Sequence, residues 1–252
     1  MSVDVKPSSG GVQSVGTALK ILAEVASHDT VGVTELSKTL DVPKSSVQRM
    51  LYTLQDAGWV REAGGDVTRW MLTTKMLRFT GNRQDRLRRI ALPVMERLRT
   101  ATQETVHLAV QEHDEAVIVE RLVSPQAVRA NVDLGQAAPL AASANGKAIL
   151  ATWSPDEVAA FVERGLQKYT DATIVDPSVL LEELELTRGR GYATNGDEWR
   201  EGVSAVAVPI ETMDARAEAA ISISVPSYRM DEEKRDRYGL LLVEALRTFD
   251  IG

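Results

Sequence analysis

The run Val33-Thr-Glu-Leu-Ser-Lys-Thr-Leu-Asp-Val-Pro-Lys-Ser-Ser-Val-Gln-Arg-Met-Leu-Tyr-Thr-Leu-Gln-Asp-Ala-Gly-Trp59 decides the fold of the first third of the chain. Leu36 and Leu40 lie four apart, and Val47, Leu51 and Leu54 then repeat at helical spacing. Asp41-Val42-Pro43 ends the first helix, because a residue before proline is pushed out of the helical region. Pro43 fits the first turn of a second helix, where a missing N–H is tolerated. With Val47, Leu51 and Leu54 turned inward, Lys44, Ser45, Ser46, Gln48, Arg49 and Tyr52 face outward. This is the layout of a helix-turn-helix whose second helix fits a DNA major groove.

Working outward, Gly58 follows the second helix as a C-cap. Two β-prone runs come next, 59–61 and 68–72, joined by the turn formers Gly64-Gly65-Asp66. A helix-turn-helix followed by a hairpin is a winged helix. The plainer reading is a helical hairpin beside a β-hairpin with no ligand. Upstream, residues 14–26 predict a helix with Ser14 as cap and Val15, Leu19, Leu22 and Ala26 along its inner face. Residues 1–12 are polar, with Pro7 and Gly10-Gly11, and predict a disordered lead-in rather than a signal peptide.

Charge supports this division. The 252-residue chain has a net charge of −7, but residues 1–92 carry 13 Lys+Arg against 9 Asp+Glu, and the remainder 16 against 27. A head of +4 on a body of −11 is the asymmetry expected when only the head meets phosphate. There is no cysteine, which excludes thiol catalysis, disulfides and cysteine metal sites and fits a cytoplasmic protein. No apolar run approaches the roughly 18 residues of a membrane span.

Downstream of the wing, residues 74–101 predict a linker helix, interrupted at Gly81-Asn82 and kinked or restarted at Pro93. Its apolar stripe is Leu87, Ile90, Ala91, Val94, Met95 and Leu98. This stripe serves either as intramolecular core or as an oligomer interface. Arg83, Arg86, Arg88 and Arg89 form the other face, either solvated or set against phosphate. Beyond Thr102 the period changes to two. Val106, Leu108 and Val110 alternate with polar residues, and 116–119 return across the turn at 112–115 as an antiparallel hairpin. Helices are expected at 145–152, 155–164, 177–190 and 231–249, and strands at 203–210 and 219–225. Helices set between strand pairs predict an α+β body with one central antiparallel sheet. The expected division is 1–12, 13–73, 74–101 and 102–252.

Enzyme chemistry finds little support. His28, His107 and His113 are the only histidines. His107 and His113 share strand parity, but six residues at about 3.3 Å each keep them from one metal. Asn145-Gly146-Lys147 lacks the upstream glycine and following hydroxyl of a phosphate-binding loop. No metal site, cofactor or catalytic residue is expected.

The ordered set Thr17-Ala-Leu-Lys-Ile-Leu22, Val42-Pro-Lys-Ser-Ser46, Arg49-Met-Leu-Tyr-Thr-Leu54, Ala142-Ser-Ala-Asn-Gly-Lys-Ala-Ile-Leu-Ala151, Gly191-Tyr-Ala193, Glu198, Gly202-Val203, Pro209, Ser222, Ser224 and Pro226 resembles the IclR family of bacterial transcriptional regulators. Asp41 stands where the family often has glycine, Asn195-Gly196 where an acidic pair is frequent, and Ala205 where cysteine is common. The resemblance implies a winged helix-turn-helix head, a linker helix and a GAF-like effector-binding domain, assembled as dimers or tetramers on a palindromic operator. It implies a sequence-specific regulator, with repression as the expected action and a small-molecule effector altering DNA binding. The alternatives are a sensor acting through protein partners and a ligand-processing domain.

On the head, Arg49 and Gln48 are the candidates for base edges, since arginine suits guanine and glutamine suits adenine. Lys44, Ser45 and Ser46 are placed to hold phosphate, with Tyr52 further along the same face. The alternative for Arg49 is a salt bridge to Asp56. In the body, 141–146 offers small side chains and a helix start, which points to Ala144, Asn145 and Gly146 as effector-binding. By resemblance, Asn195, Ala205, Ser222 and Ser224 line the other side. Ser222 and Ser224 share strand parity, so both hydroxyls can enter one pocket. Equally, these groups could cap helices and finish turns. With Asn195 replacing an acid, an uncharged-to-anionic ligand is expected, such as an organic or aromatic acid.

Overall fold

The computed structural model describes residues 12–64, 67–75, 82–211 and 216–247. The chain divides into two compact units, residues 1–81 and 82–252. The lead-in up to residue 11, Gly65-Asp66 of the wing turn, Gly81, the Arg83 side chain and Phe249 lie outside the described set.

The first unit contains α1 (Gln13–Ala26), α2 (Val33–Leu40), α3 (Lys44–Asp56), β1 (Val60–Ala63) and β2 (Arg69–Leu72). β1 and β2 pair antiparallel, and Val31 bridges to Trp70. The core is Ile21, Val25, Val31, Leu36, Val47, Leu51, Val60 and Trp70. The tight α2–α3 turn is built from Asp41 at φ 51°, whose N–H donates to Ser37 O. The Ser37 hydroxyl donates to Val42 O at 2.7 Å. Asp41 thus holds the left-handed position that glycine ordinarily fills. Gly58, at φ +77°, turns the chain from α3 into the wing.

Two expectations for α1 are corrected. The helix starts at Gln13 after Val12, with no side-chain cap, and Ser14 is exposed within it. Its buried side chains are Ile21 and Val25, whereas Val15 and Leu19 are exposed. A helix this rich in Ala, Val and Leu carries two apolar stripes at 3.6 spacing, and period alone does not choose between them.

The second unit is α+β. It contains α4 (Asn82–Thr102), β3 (Thr105–Glu112), β4 (Glu115–Leu122), β5 (Ala137–Pro139), α5 (Ala144–Leu150), α6 (Pro155–Val162), α7 (Pro177–Arg190), β6 (Ala193–Gly196), β7 (Val203–Glu211), β8 (Ala217–Pro226) and α8 (Glu232–Leu246). The strands form one antiparallel sheet in the order β5-β4-β3-β8-β7-β6. The helix expected over 74–101 is α4; it runs from Asn82 through Pro93 to Thr102 without restarting. Of its stripe, Ala91, Val94, Met95 and Leu98 are buried in this unit's own core, Leu87 packs partly against that core, and Ile90 is half-buried. β5 and β6 are not among the expected strands; at three and four residues, and with Thr194 as their one β-favouring residue, they carry no period-2 signal.

The two faces of the sheet differ in bulk. Val106, Leu108, Val206, Val208, Ile221 and Ile223 face the core containing the buried residues of α4 and α8. Ala109, Ala205, Ala207 and Ala220 face a second core, with residues of α5, α6 and α7. Period-2 alternation sends the large aliphatics to one side and alanines and serines to the other. The small-residue face leaves unfilled space in front of α5.

Candidate DNA-binding helix and effector cavity

On α3, Lys44, Ser45, Gln48, Arg49 and Tyr52 are exposed and Ser46 is half-buried. Gln48 Nε2 donates to Tyr52 Oη at 3.2 Å, and the Tyr52 ring meets buried Trp70 edge-on at 5.8 Å. The Arg49 guanidinium has no ion pair or hydrogen bond among the described residues, so the alternative pairing with Asp56 is not formed there. On α4, Arg88 pairs with Glu120 at 2.6 Å, which ties this member of the arginine face to its own sheet.

The unfilled space on the small-residue face of the sheet is a cavity of about 430 Å³, counted with its open side. Six of the seven expected effector residues line it: Ala144, Asn145, Asn195, Ala205, Ser222 and Ser224. Sheet register explains the gathering, because Asn195 pairs with Ala205, Ala205 with Ser224, and Ser222 with His107. Gly146 does not line the cavity; a Cβ there would collide with the Leu140 backbone. Ser143 caps α5, accepting from Gly146 N at 3.1 Å and donating to Pro139 O at 2.7 Å.

The lining also includes residues that sequence reasoning missed, among them His107, Ser143, Trp199, Arg200 and the apolar Ile118, Val132, Ala138 and Val203. His107 is 1% exposed, and its Nδ1 lies 3.2 Å from Ser224 Oγ. Burial, and secondarily the Arg121 charge on the neighbouring strand, pull its pKa down to about 4, so the ring is neutral at physiological pH. Asn145 Nδ2 donates to Ser222 Oγ at 3.0 Å, and Asn195 Nδ2 donates to Ala142 O at 2.6 Å. Two buried polar atoms on the lining residues, His107 Nε2 and Asn145 Oδ1, have no partner among the described residues. Unpaired buried groups of this kind are uncommon and call for an explanation.

A buried ion network supports one wall. Lys147, 1% exposed, places Nζ 2.7 and 2.8 Å from the two Glu198 oxygens and 3.8 Å from Glu183. Arg190 bonds Glu183 at 2.7 Å, so two cations balance two carboxylates. Burial pushes the Glu198 carboxyl up, against the lowering effect of Lys147. Thr170 donates to Asp197 O at 2.7 Å and Thr173 to Glu198 O at 2.6 Å. The segment so pinned carries Trp199 and Arg200 into the cavity wall. The Arg200 guanidinium lies 4.1 Å from the Trp199 ring centroid, with no ion pair or hydrogen bond among the described residues. Among those residues no group of His, Cys, Asp and Glu is placed to hold a metal, and no helix is long and apolar enough to cross a membrane.

The IclR helix-turn-helix domain model matches residues 14–64, and the bacterial transcriptional regulator IclR C-terminal model matches residues 82–250. The transcriptional repressor IclR of Escherichia coli is 33% identical over 257 residues, covering 100% of this chain and 93% of that protein. The crystal structure of the Thermotoga maritima IclR superimposes with a TM-score of 0.78 at 28% identity, over 93% of this chain and 96% of the other. An IclR homologue from Microbacterium hydrocarbonoxydans complexed with 4-hydroxybenzoate has the same fold, with a TM-score of 0.76 at 23% identity over 93% and 99% of the two chains.

Proposed function

Since the chain belongs to the IclR family of bacterial transcriptional regulators, we propose that it is a repressor that reads its operator through α3 and is controlled by a small organic acid in the cavity of its second unit. The observation that carries the DNA assignment is the polar outer edge of α3, where Arg49 is exposed and unpaired among the described residues beside Gln48. Arg49 and Gln48 contact base edges, and Lys44, Ser45 and Ser46 hold phosphates. The repressor reading draws support from the Escherichia coli relative, itself a repressor. The effector reading draws support from the two unpaired buried atoms on the cavity residues and from the aromatic acid bound by the Microbacterium homologue.

A recognition helix covers only a short half-site, so two heads are required for an operator of useful length. We assign the second head to another copy of this chain, joined through the exposed stripe Val12, Val15 and Leu19 of the first unit.

The DNA assignment is tested by gel shift with DNA flanking the protein's own gene. Arg49→Ala is expected to lose about 1–3 kcal/mol of binding and to relax preference at one base position. Lys44→Ala is expected to weaken binding to all sequences alike and to reduce the salt slope by about one. Wild-type affinity and specificity in Arg49→Ala would remove it from the base contacts.

A further inference from the structure

The polar groups of the cavity can be sorted by what they lack. Among the described residues that line the cavity, Arg200 is the one charged side chain, His107 being neutral, and none is a carboxylate. It is half-buried, rests on Trp199 and has no counter-ion among the described residues. A cation withdrawn from water without a counter-ion is unfavourable unless a ligand supplies the anion. His107 lies deeper, at 1% exposure, with Nε2 unpaired. When the Ser224 hydroxyl donates to Nδ1, the ring carries its proton on Nε2, where it is a donor awaiting an acceptor. The Ser222 oxygen accepts from Asn145 Nδ2, which frees the Ser222 proton as a second donor. Against these donors stands one buried unpaired acceptor among the described lining residues, Asn145 Oδ1, at 7% residue exposure.

A donor-rich wall with one cation and one unpaired acceptor is complementary to a molecule rich in acceptors, singly negative, and carrying one donor. Resting on the effector reading above, we propose that the ligand is a hydroxycarboxylate. Its carboxylate is held between the Arg200 guanidinium and His107 Nε2–H, and its hydroxyl donates to Asn145 Oδ1. Ile118, Val132 and Ala138 enclose the apolar body of the molecule. Arg200 is therefore the charge anchor and Asn145 the hydroxyl reader, roles that neither the strand parity of the serines nor the small-residue segment before α5 assigns.

The test is calorimetric titration of the full chain with glycolate, lactate, 3-hydroxybutyrate and 4-hydroxybenzoate. Each acid is paired with its neutral amide and with the acid lacking the hydroxyl. At least one hydroxy acid is expected to bind, with its amide and its deoxy analogue each weaker by on the order of thirtyfold. Arg200→Gln, a half-buried position that leaves the core intact, is expected to weaken the acid by a similar factor and abolish its advantage over the amide. Arg200→Lys restores most of that advantage. Equal binding of acid and amide, wild-type affinity in Arg200→Gln, or no binding by any acid of the panel overturns the proposal. If affinity survives Arg200→Gln but falls in Ser222→Ala and Asn145→Ala, the cavity stands as the effector site and only the anion anchor fails. If it survives all three substitutions, the effector reading fails with it.

Discussion

His107 sits inside the body as a neutral ring and resists protonation there until pH falls to about 4, against 6.5 in an unfolded chain. Between those values the unfolded state takes up a proton that the fold refuses, so stability rises with pH across the window. The contribution is fully present above pH 6.5 and declines as pH falls toward 4, by up to about 3 kcal/mol for this single group. Urea unfolding at pH 7.5 and pH 5 should therefore show a larger loss for wild type than for His107→Gln, which has nothing to titrate. Parallel losses in the two proteins would mean that the ring is hydrated or already protonated in the fold. Lys147 presents a different solution to burial, its Nζ donating to both oxygens of Glu198. Sequence reasoning placed His107 on a strand but could not see its importance. Its partners Ser222 and Ser224 arrive from more than a hundred residues away, through the β3–β8 pairing.

α5 shows the same problem at the level of an element. All seven of its residues are buried, and it rests against the chain that leads in from β5. Gly146 permits that approach, because any Cβ there would meet the Cα, carbonyl carbon and oxygen of Leu140. Helix propensity alone favours alanine over glycine by about 1 kcal/mol. The contact is with backbone, which cannot rotate away, so Gly146→Ala is expected to destabilise the protein by about 1–3 kcal/mol. A chemical denaturation midpoint at or above wild type would show that α5 has room to shift. The small residues of 141–146 were legible as a special segment, yet a ligand-facing glycine and a packing glycine look alike in sequence. α3 was easier to read, because Val47 and Leu51 at helical spacing fix which side is inward and leave the opposite edge to Lys44, Ser45, Gln48, Arg49 and Tyr52. The strand parity of Ser222 and Ser224 was legible for the same reason. Arg200 was not, since it lies in an irregular connection whose path is set by Thr170, Thr173 and the Lys147–Glu198 pair, and no period marks such a residue.

For the whole molecule, the separation of charge along the chain sets the terms of function. Divided as the two units divide, residues 1–81 carry 9 Lys+Arg against 8 Asp+Glu, a head of +1 that neutralises few phosphates, and residues 82–252 carry 20 against 28, a body of −8 that opposes approach to DNA. One head alone therefore binds weakly, and joining two converts the second contact into an intramolecular event. A ligand in the second unit then alters DNA binding only to the extent that it favours one arrangement of the assembly over another. The surface we assign to joining heads is the outer stripe of α1, where Val15 is 56% and Leu19 60% exposed, with Val12 just before the helix. Ile21 and Val25, on the opposite side, hold the unit's own core. Replacing Val15 and Leu19 together by glutamate should leave the folding of the head intact, because neither side chain is buried in it. The double variant is expected to shift the species seen by light scattering at micromolar concentration to a smaller mass. It is also expected to weaken operator binding by at least tenfold, as the effective concentration of the second head is lost. If wild type is already monomeric at that concentration, or if the double variant keeps both mass and affinity, α1 is not the surface that joins the heads. The stripe would then be an ordinary exposed helix face.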